Sequence, residues 1–129
     1  MPAQPETHLS RRERQIMDII YAGGPASVSQ VRRAMADPPS YSAVRALMRI
    51  LEQKGHLRHK AKGNKYIYLP TRSRQSASRS AARRLLRTFF DGSTEQALAA
   101  LLDVSPTEPT PEELDRLARI IENARKEGR

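Results

Sequence analysis

Arg45 and Arg49 are the side chains whose chemistry is most easily read from this sequence. They sit four residues apart in Tyr41-Ser42-Ala43-Val44-Arg45-Ala46-Leu47-Met48-Arg49. There Val44, Leu47, Met48 and Leu51 recur at the spacing of one apolar helix face, which predicts an amphipathic helix. Ser42, Ala46, Arg49 and Gln53 then project away from that stripe, with Arg45 on its shoulder. The small residues Ala43 and Ala46 leave a gap beside the arginines, so such a helix can settle deep in a groove. Guanidinium groups placed there pair with guanine O6 and N7, or with phosphates. Two ordinary solvated arginines are the competing reading, and this helix alone does not decide between them.

Arg58, Lys60, Lys62 and Lys65 form a second cationic group, with His56 and His59 nearby. Gly63-Asn64 suits a two-residue hairpin turn, which would set Lys62 directly opposite Lys65. Opposed like charges weaken a hairpin, and phosphate on the far side would relieve them. Lysines that only guard an edge strand against aggregation are the alternative. Tyr66 and Tyr68 share one strand face and are expected to be packing or rim residues rather than base-stacking platforms. No carboxylate or third histidine lies near His56 and His59 in sequence, and His8 is far away, so no metal site is expected. The chain has no cysteine, which excludes a disulfide framework, a thiolate zinc site and a cysteine nucleophile. It also lacks a Gly-rich phosphate loop, a G-x-S-x-G elbow and an H-E-x-x-H pair. Between Gln53 and Phe90 there is no Asp or Glu for acid–base work. Neither an enzyme nor a bound cofactor is expected.

The elements that position these residues follow from caps and periodicity. Ser10 and Glu13 form a capping box ahead of Ile16, Met17, Ile19 and Ile20, and Gly23-Gly24-Pro25 stops that helix. Ser27 and Gln30 repeat the spacing before Val28, Val31 and Met35, and Asp37-Pro38-Pro39 blocks continuation. The arginine-bearing helix ends at Gly55. The period then changes to two, predicting strands over Leu57–Ala61 and Lys65–Leu69, closed by Pro70. From Ser73 a helix is expected through Asp91, with Gly92 past its end. Ser93 and Gln96 open another, and Thr110-Pro111-Glu112-Glu113 opens a last one after a proline-containing loop. The predicted fold is mostly α with a small β-hairpin. A disordered arm (1–8) precedes a winged helix-turn-helix domain (9–71), and a C-terminal helical dimerisation region (72–129) follows. Those last helices have too little mutual surface to hide their apolar residues. Leu85, Phe89, Leu98, Leu101, Leu102, Leu114, Leu117 and Ile121 are therefore expected to meet a partner chain.

Composition supports this division. Of 129 residues, 29% are charged and only 5% aromatic, with no Trp. Residues 1–90 hold 18 basic and 5 acidic side chains, whereas residues 91–129 hold 5 basic and 9 acidic. A strongly basic half repels itself, and a polyanion most simply relieves that, nucleic acid ahead of an anionic membrane surface. The longest apolar run, Ala97–Leu102, is too short to cross a bilayer, and no secretory signal is present, so a cytoplasmic protein without membrane insertion is expected.

With these segments laid out, the chain resembles the penicillinase-repressor family of BlaI/MecI/CopY-type winged-helix regulators. The resemblance runs through Leu9-Ser10-Arg11-Arg12-Glu13, Tyr41–Leu47, Leu51-Glu52-Gln53-Lys54-Gly55, Tyr66-Ile67-Tyr68-Leu69-Pro70, Phe89-Phe90-Asp91-Gly92-Ser93 and Pro111–Ile121. It implies a homodimer that represses transcription by binding a two-fold double-stranded DNA operator. Tyr41, Ser42, Ala43, Arg45 and Arg49 then match the recognition segment, the hairpin touches the backbone, and the C-terminal helices dimerise. The chain departs from the family at Arg14 and Tyr21, near places usually held by Trp, and at Ser42-Ala43, where a Thr pair is usual. Copper-responsive members carry C-terminal cysteines, which are absent here. β-Lactam-responsive members are cut by a membrane sensor protease at an Asn–Phe bond in the fifth helix. Neither residue occurs between Thr94 and Thr110, which leaves a sensor protease as an open partner. An RNA-associated or protein-interaction winged-helix module is the alternative function.

Overall fold

The computed structural model describes residues 9–128, so the expected arm over 1–8 lies outside the described residues. In chain order the elements are α1 (Arg11–Gly23), α2 (Val28–Ala34), α3 (Tyr41–Gln53), β1 (Leu57–Lys62), β2 (Lys65–Pro70), α4 (Arg74–Phe89), α5 (Thr94–Val104) and α6 (Pro111–Lys126). The chain divides into two compact units, Met1–Ala81 and Ala82–Arg129.

In the first unit, both expected capping boxes form. The Ser10 hydroxyl accepts from the Glu13 N–H at 3.1 Å while the Glu13 carboxylate accepts from the Ser10 N–H at 2.8 Å. Ser27 and Gln30 repeat the arrangement at the start of α2. Each box satisfies donors that a helix start otherwise leaves orphaned. Gly24 ends α1 at φ +92°, a conformation closed to residues with a Cβ, and Pro25 follows without an N–H. Ser40, directly after the proline pair, caps α3 through the Ala43 N–H.

Ile16, Ile20, Val31, Val44, Met48, Leu51 and Leu57 are fully buried and form one core with Met35 and Tyr68, flanked by half-buried Leu47. The apolar stripe expected of α3 is therefore the face that packs inward. The hairpin register sets Lys62 opposite Lys65 across Gly63-Asn64, and each strand runs one residue longer than periodicity suggests. Gly63 adopts φ +65° at the first turn position, where type II′ hairpins need it. The root of β2 is tied to the α1–α2 corner. Ala26 N–H donates to Tyr68 O at 3.1 Å, and Tyr68 N–H returns a bond to Ala26 O at 2.8 Å.

Glu13 also joins distant parts of this unit. The same carboxylate oxygen that completes the box accepts from Lys54 Nζ at 2.8 Å, at the C-cap of α3. Burial by itself would raise this carboxyl's pKa, but the Lys54 ammonium and the Ser10 donors outweigh it and hold the value below its ordinary one. A depressed carboxylate contributes stability that is complete above its unfolded-state pKa and is lost as pH falls through the folded-state value. Glu13→Gln keeps an oxygen for the Ser10 N–H but no charge for Lys54. It should destabilise the unit by about 1–2 kcal/mol at neutral pH. Its acid limb should also be flatter than that of the parent, as read by denaturant unfolding across the carboxylate range.

The second unit differs. α4 ends at Phe89, short of the expected Asp91, because Asp91 and Gly92 both take positive φ and Gly92 N–H caps Leu86 O at 2.9 Å. Ser93 and Thr110 cap α5 and α6 through the Gln96 and Glu113 N–H groups. From residue 82 to 128 only Ala97 is buried. Among the described residues, no helix is long and apolar enough to cross a membrane.

Candidate nucleic-acid interface

Because Val44, Met48 and Leu51 are pinned in the core, the opposite side of α3 must face outward. Tyr41, Ser42, Arg45, Ala46 and Arg49 are all exposed, and Ala43 is half-buried at the edge of the stripe. The Arg45 guanidinium carbon lies 6.0 Å from the Tyr41 ring centroid, within cation–π range. Both arginines are exposed and both line one groove.

That surface forms one wall of an open groove of about 590 Å³. Ser29 and Arg33 of α2 line it together with Asn64, Lys65 and Tyr66 of the hairpin. The groove thus presents Arg33, Arg45, Arg49 and Lys65 along one concavity. The other hairpin cations separate from it. Lys60 and Lys62 line the reverse side of the hairpin with Pro25 and Ile67, and strand alternation puts exposed Arg58 with them. Lys65, the register partner of Lys62, shares that face by strand alternation and borders the groove only at the hairpin tip, beside Asn64.

The two tyrosines have different roles. Tyr68 is buried in the core, and burial, with the Glu52 carboxylate nearby, raises its phenol pKa although Arg49 acts in the opposite direction. Tyr66 stays half exposed on the groove, its ring stacked on His59. Sequence spacing suggested no carboxylate near His59, but the structure brings Glu52 of α3 to 2.8 Å from its Nδ1. Among the described residues, no group of three or more His, Asp or Glu could hold a metal ion. Ser29, Arg33 and Glu52 are groove residues that sequence reasoning missed. Arg33 follows two short periodic residues on a seven-residue helix, too little pattern to fix its direction.

Further along, Arg72 is engaged internally, its guanidinium donating to Ser76 and to Ser80 Oγ at 2.9 Å. In the second unit Leu85, Phe89, Leu101, Leu102, Leu114 and Ile121 are exposed, and Leu98 and Leu117 half-buried. Val104 and Ile120, which lie off the stripes chosen from sequence, are more exposed than most, at 70% and 64%.

Three helices and a hairpin wing, with a cationic outer face on the third helix, define a winged helix-turn-helix DNA-binding transcriptional regulator. The chain belongs to the penicillinase repressor family, whose profile matches residues 9–123. No curated protein matches it significantly. Its fold is similar to that of the transcriptional regulator Tm0710 from Thermotoga maritima. That similarity has 16% identity and a TM-score of 0.51, and covers 92% of this chain and 78% of that one. It is also similar to Bordetella bronchiseptica BpsR, whose DNA binding is regulated by 6-hydroxynicotinic acid. There the identity is 15% and the TM-score 0.49, covering 95% of this chain and 78% of that one.

Proposed function

We propose that this chain is a homodimeric, sequence-specific repressor that occludes a promoter by binding an inverted-repeat operator. The observation that carries this reading is the outward, arginine-bearing face of α3 beside a lysine-tipped wing. In such a complex α3 lies in the major groove, with Arg45 and Arg49 at base edges and Tyr41, Ser42, Ala43 and Ala46 against the sugar–phosphate walls. Lys62 and Lys65 reach the backbone from the wing tip, supported by Arg58 and Lys60.

Dimerisation is supported by what the second unit leaves uncovered. A single copy that buries only Ala97 there while exposing Phe89, Leu101, Leu114 and Ile121 has an apolar surface that a second copy would cover. Two-fold symmetry of the protein then requires two-fold symmetry in the DNA.

A mobility-shift comparison tests the proposal with duplexes carrying an inverted repeat, a single half-site or random sequence, and with hairpin RNA. Fragments from the region upstream of the chain's own gene supply candidate repeats. The inverted repeat should bind in one cooperative step and more tightly than the half-site by at least about 10²-fold. Equal affinity for the half-site would remove the dimer, and preference for hairpin RNA would replace the repressor with an RNA-associated module.

A further inference from the structure

The contact between Glu52 and His59 lies where the two DNA-facing elements meet. Glu52 belongs to the last turn of α3, His59 to β1 and Tyr66 to β2. His59 Nδ1 is 2.8 Å from both oxygens of the Glu52 carboxylate. An ionised carboxylate only accepts, so the proton of this contact sits on Nδ1. The imidazole in turn stacks on Tyr66, with centroids 4.1 Å apart and planes inclined at 21°. On its other flank is Tyr68, 5.6 Å away and fixed in the core. Helix α3 and both strands of the wing are thereby linked through a single ring.

The placement is unfavourable on charge alone. Glu52 and His59 side chains are each 32% accessible and line the groove, so a carboxylate faces the side offered to a polyanion. We propose that Glu52 and His59 are positioning residues that lock the wing to α3, so that Arg45 and Arg49 engage the same duplex as Lys62 and Lys65. This inference rests on the DNA-binding reading above. Two contact elements held at a fixed angle bind as one unit, because the second contact follows the first without a new ordering cost.

Two explanations of Glu52 predict opposite signs. If it is only a surface charge near DNA, removing it tightens binding. If it anchors the wing, removing it weakens binding. Glu52→Ala separates the two, and Glu52→Gln, which discards the charge but keeps an oxygen that accepts from His59, shows that any loss comes from the anchor and not from the charge.

The test titrates the full chain and its variants with a labelled random-sequence duplex at one fixed salt concentration, with thermal unfolding recorded to confirm that each variant is folded. Glu52→Ala should weaken binding about tenfold, and His59→Phe, which keeps a stacking ring but no donor, should match it. Glu52→Gln should bind at least as well as the parent. In a Lys62→Ala/Lys65→Ala background, Glu52→Ala should cause a clearly smaller loss, because only Arg58 and Lys60 of the wing cations remain to be positioned. Tighter or unchanged binding by Glu52→Ala overturns the inference, as does an undiminished loss in the Lys62→Ala/Lys65→Ala background. Failure of the parent chain to bind any duplex would instead remove the DNA-binding reading beneath it.

Discussion

Raising monovalent salt from about 50 to about 200 mM should lower affinity for duplex DNA by about 10⁴-fold, a log–log slope near −7. The figure follows from four wing cations per protomer, Arg58, Lys60, Lys62 and Lys65, each placed at or near an exposed hairpin surface. The proposed dimer would then neutralise about eight phosphates and release the counterions condensed on them. The structure adds a reason for the wing to be strongly salt-sensitive. Lys62 and Lys65 are register partners, so their mutual repulsion in the free chain is exchanged for attraction once phosphate lies between them. Fluorescence-anisotropy titrations at four or five salt concentrations read the slope directly. A nearly flat dependence would mean that the basic half of the chain does not meet a polyanion.

Arg45→Ala and Arg49→Ala should each cost about 1–3 kcal/mol at a cognate operator and about half as much, or less, on random DNA. Together they should lower operator affinity by about 30-fold to about 10⁴-fold, because both guanidiniums line one groove. Neither residue belongs to the core, so the unfolding midpoint should hardly move, within the roughly 0.5 kcal/mol usual for exposed positions. That separation of binding from stability identifies a contact residue. Equal losses on cognate and random duplexes would make both arginines phosphate clamps and pass sequence reading to other side chains, with Ser42 first.

Much of this layout was legible because it is local. Ser10 with Glu13, Ser27 with Gln30, and Thr110 with Pro111 act within one helical turn, and the 3.6-residue stripe of α3 fixes its inward face without reference to the rest of the chain. Gly63-Asn64 sets the hairpin register for the same reason. Contacts that close over long separations were hidden. The Glu13–Lys54 ion pair spans 41 residues, and Tyr68 is buried because β2 pairs with Ala26 at the distant α1–α2 corner. The groove escaped for a similar reason, since Ser29, Glu52 and Tyr66 become neighbours only after α2, α3 and the wing have packed. In the second unit the 3-4-3 spacing of Leu114, Leu117, Ile121 and Ala124 selected one stripe of α6, yet Ile120 beside it is more exposed than Leu114 or Ile121.

Three of the chain's four tyrosines, Tyr41, Tyr66 and Tyr68, line that groove, and the sequence contains no tryptophan to outshine them. Tyr41 and Tyr66 are exposed there, so part of the intrinsic ultraviolet emission of the unlabelled protein comes from the surface that the proposed DNA would cover. Quenching of that part gives a dye-free signal for occupancy, and Tyr21, outside the groove, together with Tyr68 in the core, supplies the background against which it is read.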